Sequence, residues 1–368
     1  MLTNKKIYIT YIGRLEKEKG IEIVLSCINK SLQENRNIVW NICWEGSYKK
    51  EFETINNANV IIHWHINKDQ IQWIIKETDL VFMPSLFLET FWLVALETLS
   101  LWVPVCWFGK GGLKDFIHPD LLLDPVNVVT SFFKIIDTGN FPLVDITSFS
   151  YDNWLLSLQK LTEWTQKILI VNDYITEVGW AEKYVEWLAH ALKSLGKVVE
   201  IHGYNWKINR FIRIFMMIIA PFAFWRWKKM TKKIWDFEPD LIWMHSIIRY
   251  IGPFWVNTIM EYKQSKKYIS HHDLWLICTR PSAIYNESDI PMNSDLSSWI
   301  PKQVNIISII SILPKWLYVQ IIWKYLNITP DITHIVPSSW MQLFFQEYTH
   351  SNLVVYPHTT TIVNQVKL

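Results

Sequence analysis

The chain has 368 residues, half of them hydrophobic, and 36 Lys and Arg against 34 Asp and Glu give a formal net charge of +2. That length accommodates two domains, and the near-neutral balance excludes a globally basic nucleic-acid binder, so no nucleic-acid partner is expected. Four scattered cysteines without a CxxC pair exclude a disulfide scaffold and fit reduced thiols in a cytoplasmic protein.

The first 20 residues are charged and polar, and no secretory leader is read there. Strands are predicted at 7–12, 38–43, 60–65, 80–84 and 103–106, with helices at 21–32 and 90–101. A polar helix over 151–165 closes this unit. The pattern then restarts with a strand at 167–172, a helix at 181–194 and a strand at 197–202. Further strands follow at 241–245, 268–271, 334–337 and 353–356. Strands alternating with helices predict parallel sheets covered by helices. The fold class is α/β, with two Rossmann-like doubly wound domains over 1–166 and 167–368. Neither first strand is followed by GxGxxG, which argues against a dinucleotide-binding oxidoreductase. The longest apolar runs, 214–224 and 304–313, are too short to span a bilayer.

Tryptophan and glycine are inverted in number, 22 against 11. Average usage would give about 26 glycines in a chain of this length. Several tryptophans stand where a residue without a side chain suits the backbone. Trp102 follows the helix over 90–101, a position that commonly takes a left-handed conformation. Trp44 ends an apolar strand and enters a tight turn. Trp180 follows Gly179 at the start of an amphipathic helix, where a Gly-Gly pair would let a ligand approach backbone N–H groups. The expectation is that UGA codons meaning glycine, as in some bacterial lineages, have been written as Trp. A chain with authentic Trp as core filler is the alternative. Trp154, Trp225 and Trp227 are candidates for real tryptophan.

The motifs Gly13-Arg14-Leu15-Glu16-Lys17-Glu18-Lys19-Gly20, Pro84-Ser85, Glu89-x7-Glu97, Trp102-Val103-Pro104 and Gly111-Gly112 occur in that order. In this combination residues 1–165 resemble the C-terminal, donor-binding domain of the retaining glycosyltransferases of family 4, which have the GT-B fold. Residues 167–368 resemble the family's N-terminal, acceptor-binding domain through Gly179-Trp180-Ala181-Glu182, Pro239-Asp240, His245-Ser246, His272-Asp273 and Val336-Pro337-Ser338. The order is the reverse of the family's. A circular permutant, or the middle of a tandem pair of transferases, would account for it.

The resemblance implies a role for each matching residue. Arg14 and Lys19, with Gly13 beside them in the donor site, would hold the donor diphosphate, Arg14 as a forked donor and Lys19 as a point charge. Ser85, Glu89, Thr90, Phe91 and Trp92 would line the donor site, with Glu89 near the sugar or its phosphate and a helix start aimed at phosphate. Glu97 would accept hydrogen bonds from ribose hydroxyls. Glu89 is expected before the helix and Glu97 on it. Trp92, if real, would obstruct the donor. Gly179 and Trp180 would form the loop near the acceptor. His272, together with Glu89 a candidate catalytic residue, would lie near donor sugar and acceptor; a strand-end histidine with a local hydrogen bond is its alternative reading.

The implied activity is transfer of a sugar from a nucleotide-sugar donor to a glycan, glycolipid or cell-envelope polysaccharide precursor, with retention. A non-catalytic fragment or permuted pseudo-enzyme, or a nucleotide-sugar epimerase, are the alternatives. No cofactor and no metal are expected, since His63-Trp64-His65 and His271-His272 lack a third ligand at a usual spacing. The segment 211–233 joins an apolar run to Arg226, Lys228, Lys229, Lys232 and Lys233. It could lie on an anionic membrane surface, placing the protein peripherally on the inner face, or pack on a sheet with a basic end exposed.

Overall fold

The computed structural model describes residues 5–358, apart from 87, 90–92, 176–179, 205–226, 246, 248–252, 273, 275, 277–305, 329–330, 347–348 and 350. The chain forms two compact units, the first chiefly Met1–Trp154 and the second chiefly Leu155–Pro281 and Glu287–Pro357. Each is built on its own parallel sheet, as the alternation of elements requires.

In the first unit the strands are β1 Ile7–Ile12, β2 Ile38–Cys43, β3 Val60–His63, β4 Leu80–Phe82 and β5 Val105–Cys106. Their order is β3-β2-β1-β4-β5, with Ile7 opposite Ile38 and Ile9 opposite Leu80. All six residues of β2 are buried, the pattern of a strand covered on both faces. The covering helices are α1 Ile21–Gln33, α2 Lys49–Glu53, α3 Lys68–Lys76, α4 Leu93–Ser100 and α5 Val128–Thr138, and α6 Tyr151–Leu161 holds the division between the units. Helix α1 buries Ile21, Val24, Cys27 and Ile28, one face at helical spacing. Asn67 and Gln70 start α3 with a reciprocal capping box. The chain steps from β1 outward to β3, then returns to place β4 on the other flank of β1. The loops after β1 and β4 therefore part at a topological switch point, the place where open α/β sheets bind ligands.

The second sheet holds β6 Lys167–Tyr174, β7 Val198–Tyr204, β8 Leu241–Met244, β9 Lys266–Ser270, β10 Ile332–Val336 and β11 Asn352–Val355. Their order is β11-β10-β9-β8-β6-β7, all pairs parallel, with the reversal between β6 and β8. Its helices are α7 Trp180–Ser194, α8 Trp227–Phe237, α9 Pro253–Glu261, α10 Ile306–Ile328 and α11 Ser339–Phe345. No helix among the described residues is long and apolar enough to cross a membrane.

Two kinds of tryptophan stand out among the described residues. Trp40, Trp107 and Trp243 are fully buried, and each indole N–H has an acceptor: Ser31 Oγ, Ser85 O and Ser270 Oγ respectively. Trp154 is also buried, stacked on Tyr151. Trp44 and Trp102 are instead 46% and 62% exposed, with φ of 116° and 63°. Left-handed backbone costs an L-residue about 1–2 kcal/mol, and neither ring recovers that cost by burial. The value at Trp44 lies beyond the left-handed helical basin, in a region populated almost only by glycine.

Candidate functional site

The site is assembled from backbone approach before any side chain is placed. Beyond β1 the chain turns at Gly13, whose N–H donates to Cys43 O at 3.3 Å, and enters the single 3-10 turn Lys17–Lys19. Gly20 follows with φ 73°, and a Cβ there would stand 1.8 Å from Pro84 O. Only glycine lets these two loops touch. The Leu86 N–H donates to Glu18 O at 2.9 Å across the same junction. Gly111 presses on the other side, where a Cβ would meet Glu89 O at 2.6 Å, while the Gly112 N–H donates to that carbonyl at 2.8 Å. Three segments are thus locked together at the carboxyl ends of β1, β4 and β5.

Into that junction project a cation and an anion. Lys19 Nζ lies 2.6 Å from Glu89 Oε1, with the two side chains only 12% and 11% exposed. The Ser85 hydroxyl donates to the same carboxylate oxygen at 3.1 Å. Burial raises the Glu89 carboxyl above its ordinary range, and Lys19, Ser85 and Arg14 oppose that rise. Arg14 is more exposed and reaches Glu18 at 3.3 Å. The Tyr11 hydroxyl donates to Arg14 O at 2.8 Å and so fixes the start of the loop. Two cations beside fixed backbone at a switch point can bind a polyanion.

Gly13, Arg14, Lys19, Ser85 and Glu89 are accordingly brought together. Glu89 is buried and precedes α4, whereas Glu97 lies on α4, partly buried. Thr90, Phe91, Trp92 and Gly179 lie outside the described residues. Trp180 begins α7, as expected for a helix start. Among the described residues no group of three His, Cys, Asp or Glu is placed to hold a metal ion. His63 meets Asn41 Oδ1 at 3.0 Å and His65 meets Glu45 at 2.8 Å.

His272 belongs to a separate cluster in the second unit. It follows β9, and its Nε2 lies 3.0 Å from Nδ1 of His245, which follows β8. The two rings stack at 5.3 Å, and the Tyr184 ring on α7 stands edge-on to His272 at 5.1 Å. Burial lowers the His272 imidazole to about 4, so at neutral pH it is an uncharged ring able to donate at one nitrogen and accept at the other. His245 and Tyr184 were not among the expected site residues. His245 stands in the stretch Pro239–Ser246 that carried the resemblance, but its pairing with His272 needs the adjacency of β8 and β9. A second pair, His271 Nε2 and His334 Nδ1 at 2.8 Å, lies buried beside Trp323 and Phe345.

Comparison with known proteins finds partial matches. An uncharacterized glycosyltransferase of Methanocaldococcus jannaschii is 31% identical over 118 residues, which are 31% of this chain and 30% of that one. An uncharacterized 41.2 kDa protein in the cps region of Klebsiella pneumoniae is 32% identical over 117 residues, 32% of each chain. The matched segment thus spans about a third of these relatives. Among solved structures, the catalytic domain of cholesterol-α-glucosyltransferase from Helicobacter pylori gives a TM-score of 0.31 at 17% identity, covering 36% of this chain and 86% of that one. The family Glycosyl transferases group 1 matches residues 2–128. The segment that builds the Lys19–Glu89 site is thus the one that the family Glycosyl transferases group 1 matches.

Proposed function

We propose that the chain is a glycosyltransferase that moves a sugar from a nucleotide-sugar donor to a glycan, glycolipid or cell-envelope polysaccharide precursor. The observation that carries this reading is the placement of Lys19, with Arg14 on the same loop, at the switch point of the group 1 domain. In the reaction the bond between the anomeric carbon and the diphosphate breaks, and negative charge grows on the leaving oxygen. Fixed cations that meet this growing charge lower the barrier. Arg14 supplies a forked pair of donors and Lys19 a compact charge. Glu97 takes the ribose hydroxyls and Glu89 the donor sugar. His272, paired to His245, serves the acceptor side as a neutral hydrogen-bonding group. The configuration is retained by attack on the face the diphosphate leaves, with the phosphate accepting the acceptor's proton, so no carboxylate nucleophile is used. Two cations suffice to balance the diphosphate, and no metal is required.

The protein acts in the cytoplasm, with peripheral contact to anionic lipid. Support comes from α8: Met230, Ile234 and Phe237 are buried, while Lys228, Lys229 and Lys232 are exposed. Met230, Ile234 and Phe237 are spent on their own unit, and outward α8 offers these lysines beside the exposed ring of Trp235. The lysines make the contact electrostatic in the first place.

The test is incubation with a panel of nucleotide sugars and lipid-linked or oligosaccharide acceptors, followed by product analysis. Transfer that disappears in a Lys19→Ala variant supports the reading. Interconversion of the donor sugar without acceptor would indicate an epimerase instead. Nucleotide binding with no turnover of any donor would indicate a non-catalytic chain.

A further inference from the structure

We infer that Glu89 stands in for the donor's phosphate in the ligand-free protein, and that a nucleoside diphosphate displaces it from Lys19 while the released carboxylate takes up one proton from solvent. This rests on reading the first unit as a nucleotide-sugar site.

Carboxylate and phosphate compete for one ammonium. A carboxylate oxygen and a phosphate oxygen are equivalent acceptors for Lys19, and at 2.6 Å the carboxylate already occupies that place. The backbone on both sides is fixed: Gly20 lies against Pro84, and the Glu89 carbonyl is held by the Gly112 N–H. Exchange therefore proceeds by side-chain rotation, with the loops staying where they are. Once phosphate holds Lys19, Glu89 remains beside the Ser85 hydroxyl at 3.1 Å, next to a bound polyanion. An ionised carboxylate without its cation is costly in such a place, and protonation removes the cost. The proton-bearing form can then donate a hydrogen bond to the ligand.

The other charged and titratable groups around Glu89 do not supply the proton. From the loop after β1 come Lys19 and Arg14, the latter engaged by Glu18. Glu16 on that loop accepts hydrogen bonds from Ser47. From β1 comes Tyr11, whose phenol burial drives far above neutral pH. The loop after β4 contributes the Ser85 hydroxyl, and the segment after β5 contributes backbone at Gly111 and Gly112.

Linkage fixes the sign. The carboxyl of Glu89 binds a proton more readily with ligand than without, so between its two pKa values affinity falls as pH rises, by up to about tenfold per unit. The experiment is titration calorimetry of the full chain with UDP-glucose, ADP-glucose and GDP-glucose, whose esterified diphosphate has no proton to exchange in this range, in two buffers of different ionisation enthalpy, across roughly pH 5.5 to 7.5. The expected result for the nucleotide that binds is uptake of close to one proton and a Kd that rises with pH. Glu89→Gln is expected to abolish both effects and to bind that nucleotide about tenfold more tightly, because Lys19 is no longer engaged beforehand. Binding without proton uptake and with a flat Kd overturns the inference and leaves the site reading standing, and so does weaker binding by a folded Glu89→Gln. If that variant does not fold, the proton count of the unaltered chain decides. Failure to bind any of the three nucleotides overturns the site reading and the inference with it.

Discussion

Trp102 ends α4 with the same hydrogen bonds with which Gly196 ends α7. The Trp102 N–H donates to Leu99 O at 3.0 Å and the Val103 N–H to Thr98 O at 3.3 Å. At α7 the Gly196 N–H donates to Lys193 O at 3.0 Å and the Lys197 N–H to Leu192 O at 3.1 Å. Both turning residues are left-handed, φ 63° and 79°. This is the Schellman termination, which glycine supplies without steric cost.

Natural glycine is therefore expected at 102, and at 44 because its φ of 116° after β2 also suits glycine, if UGA codons are read as glycine. The tryptic peptide Asn37–Lys49 contains both Trp40 and Trp44. Fragment-ion mass spectrometry of this peptide from the native source is expected to show glycine at 44 and tryptophan at 40, whose ring fills the core against Phe82 and Phe132. The peptide Ile168–Lys183 reports on position 180 alone. Tryptophan at both 44 and 180 would end the idea. In a chain expressed as written, Trp102→Gly is expected to stabilise by about 1 kcal/mol, read from urea midpoints.

Removal of Lys19 tests the donor site. Lys19→Ala is expected to lower kcat/KM by about 10²–10³, with kcat falling as much as binding, because the cation acts on charge that grows in the transition state. Arg14→Lys is expected to retain only part of the activity, since a point charge replaces a planar fork. A loss confined to KM would reassign both residues to ground-state binding.

The buried histidines give stability a definite pH profile. Burial lowers His334 and His272 from 6.5 to about 4. Between those values the unfolded chain binds more protons than the folded one, so stability rises with pH through this window and is lost as pH falls from 6.5 toward 4. Urea midpoints measured at intervals across it are expected to decline with acidity. The decline should be shallower in His334→Gln. An unchanged slope in that variant would mean that other groups carry the acid sensitivity.

The exposed lysines of α8 test peripheral membrane contact. Lys228→Glu, Lys229→Glu and Lys232→Glu together are expected to abolish flotation with vesicles containing anionic lipid, and salt is expected to weaken binding by the unaltered chain. Lys233 is kept in this design because it is paired with Glu200. Flotation that survives both treatments would point to an apolar contact elsewhere.

Fold class and the position of every strand among the described residues were legible along the chain, because parallel buried strands are short apolar runs and the helices between them carry an apolar face. The sequence's resemblance to a known family, carried by motifs that survive as a linear pattern, also marked Gly13-Arg14, Lys19, Ser85 and Glu89. The strand at 103–106 proved shorter, Val105–Cys106, and the one at 167–172 longer, Lys167–Tyr174. Such edges depend on which neighbours complete the ladder. Tertiary structure alone decided that Lys19 and Glu89, 70 residues apart, share a buried contact. Sheet order puts β4 beside β1, and Gly20 permits the backbone approach that joins their loops. The pairing of His245 with His272 has the same origin, the adjacency of β8 and β9. Periodicity along a chain records which face of an element is buried; strand order records which loops meet, and hydrogen bonding between segments distant in sequence settles that order.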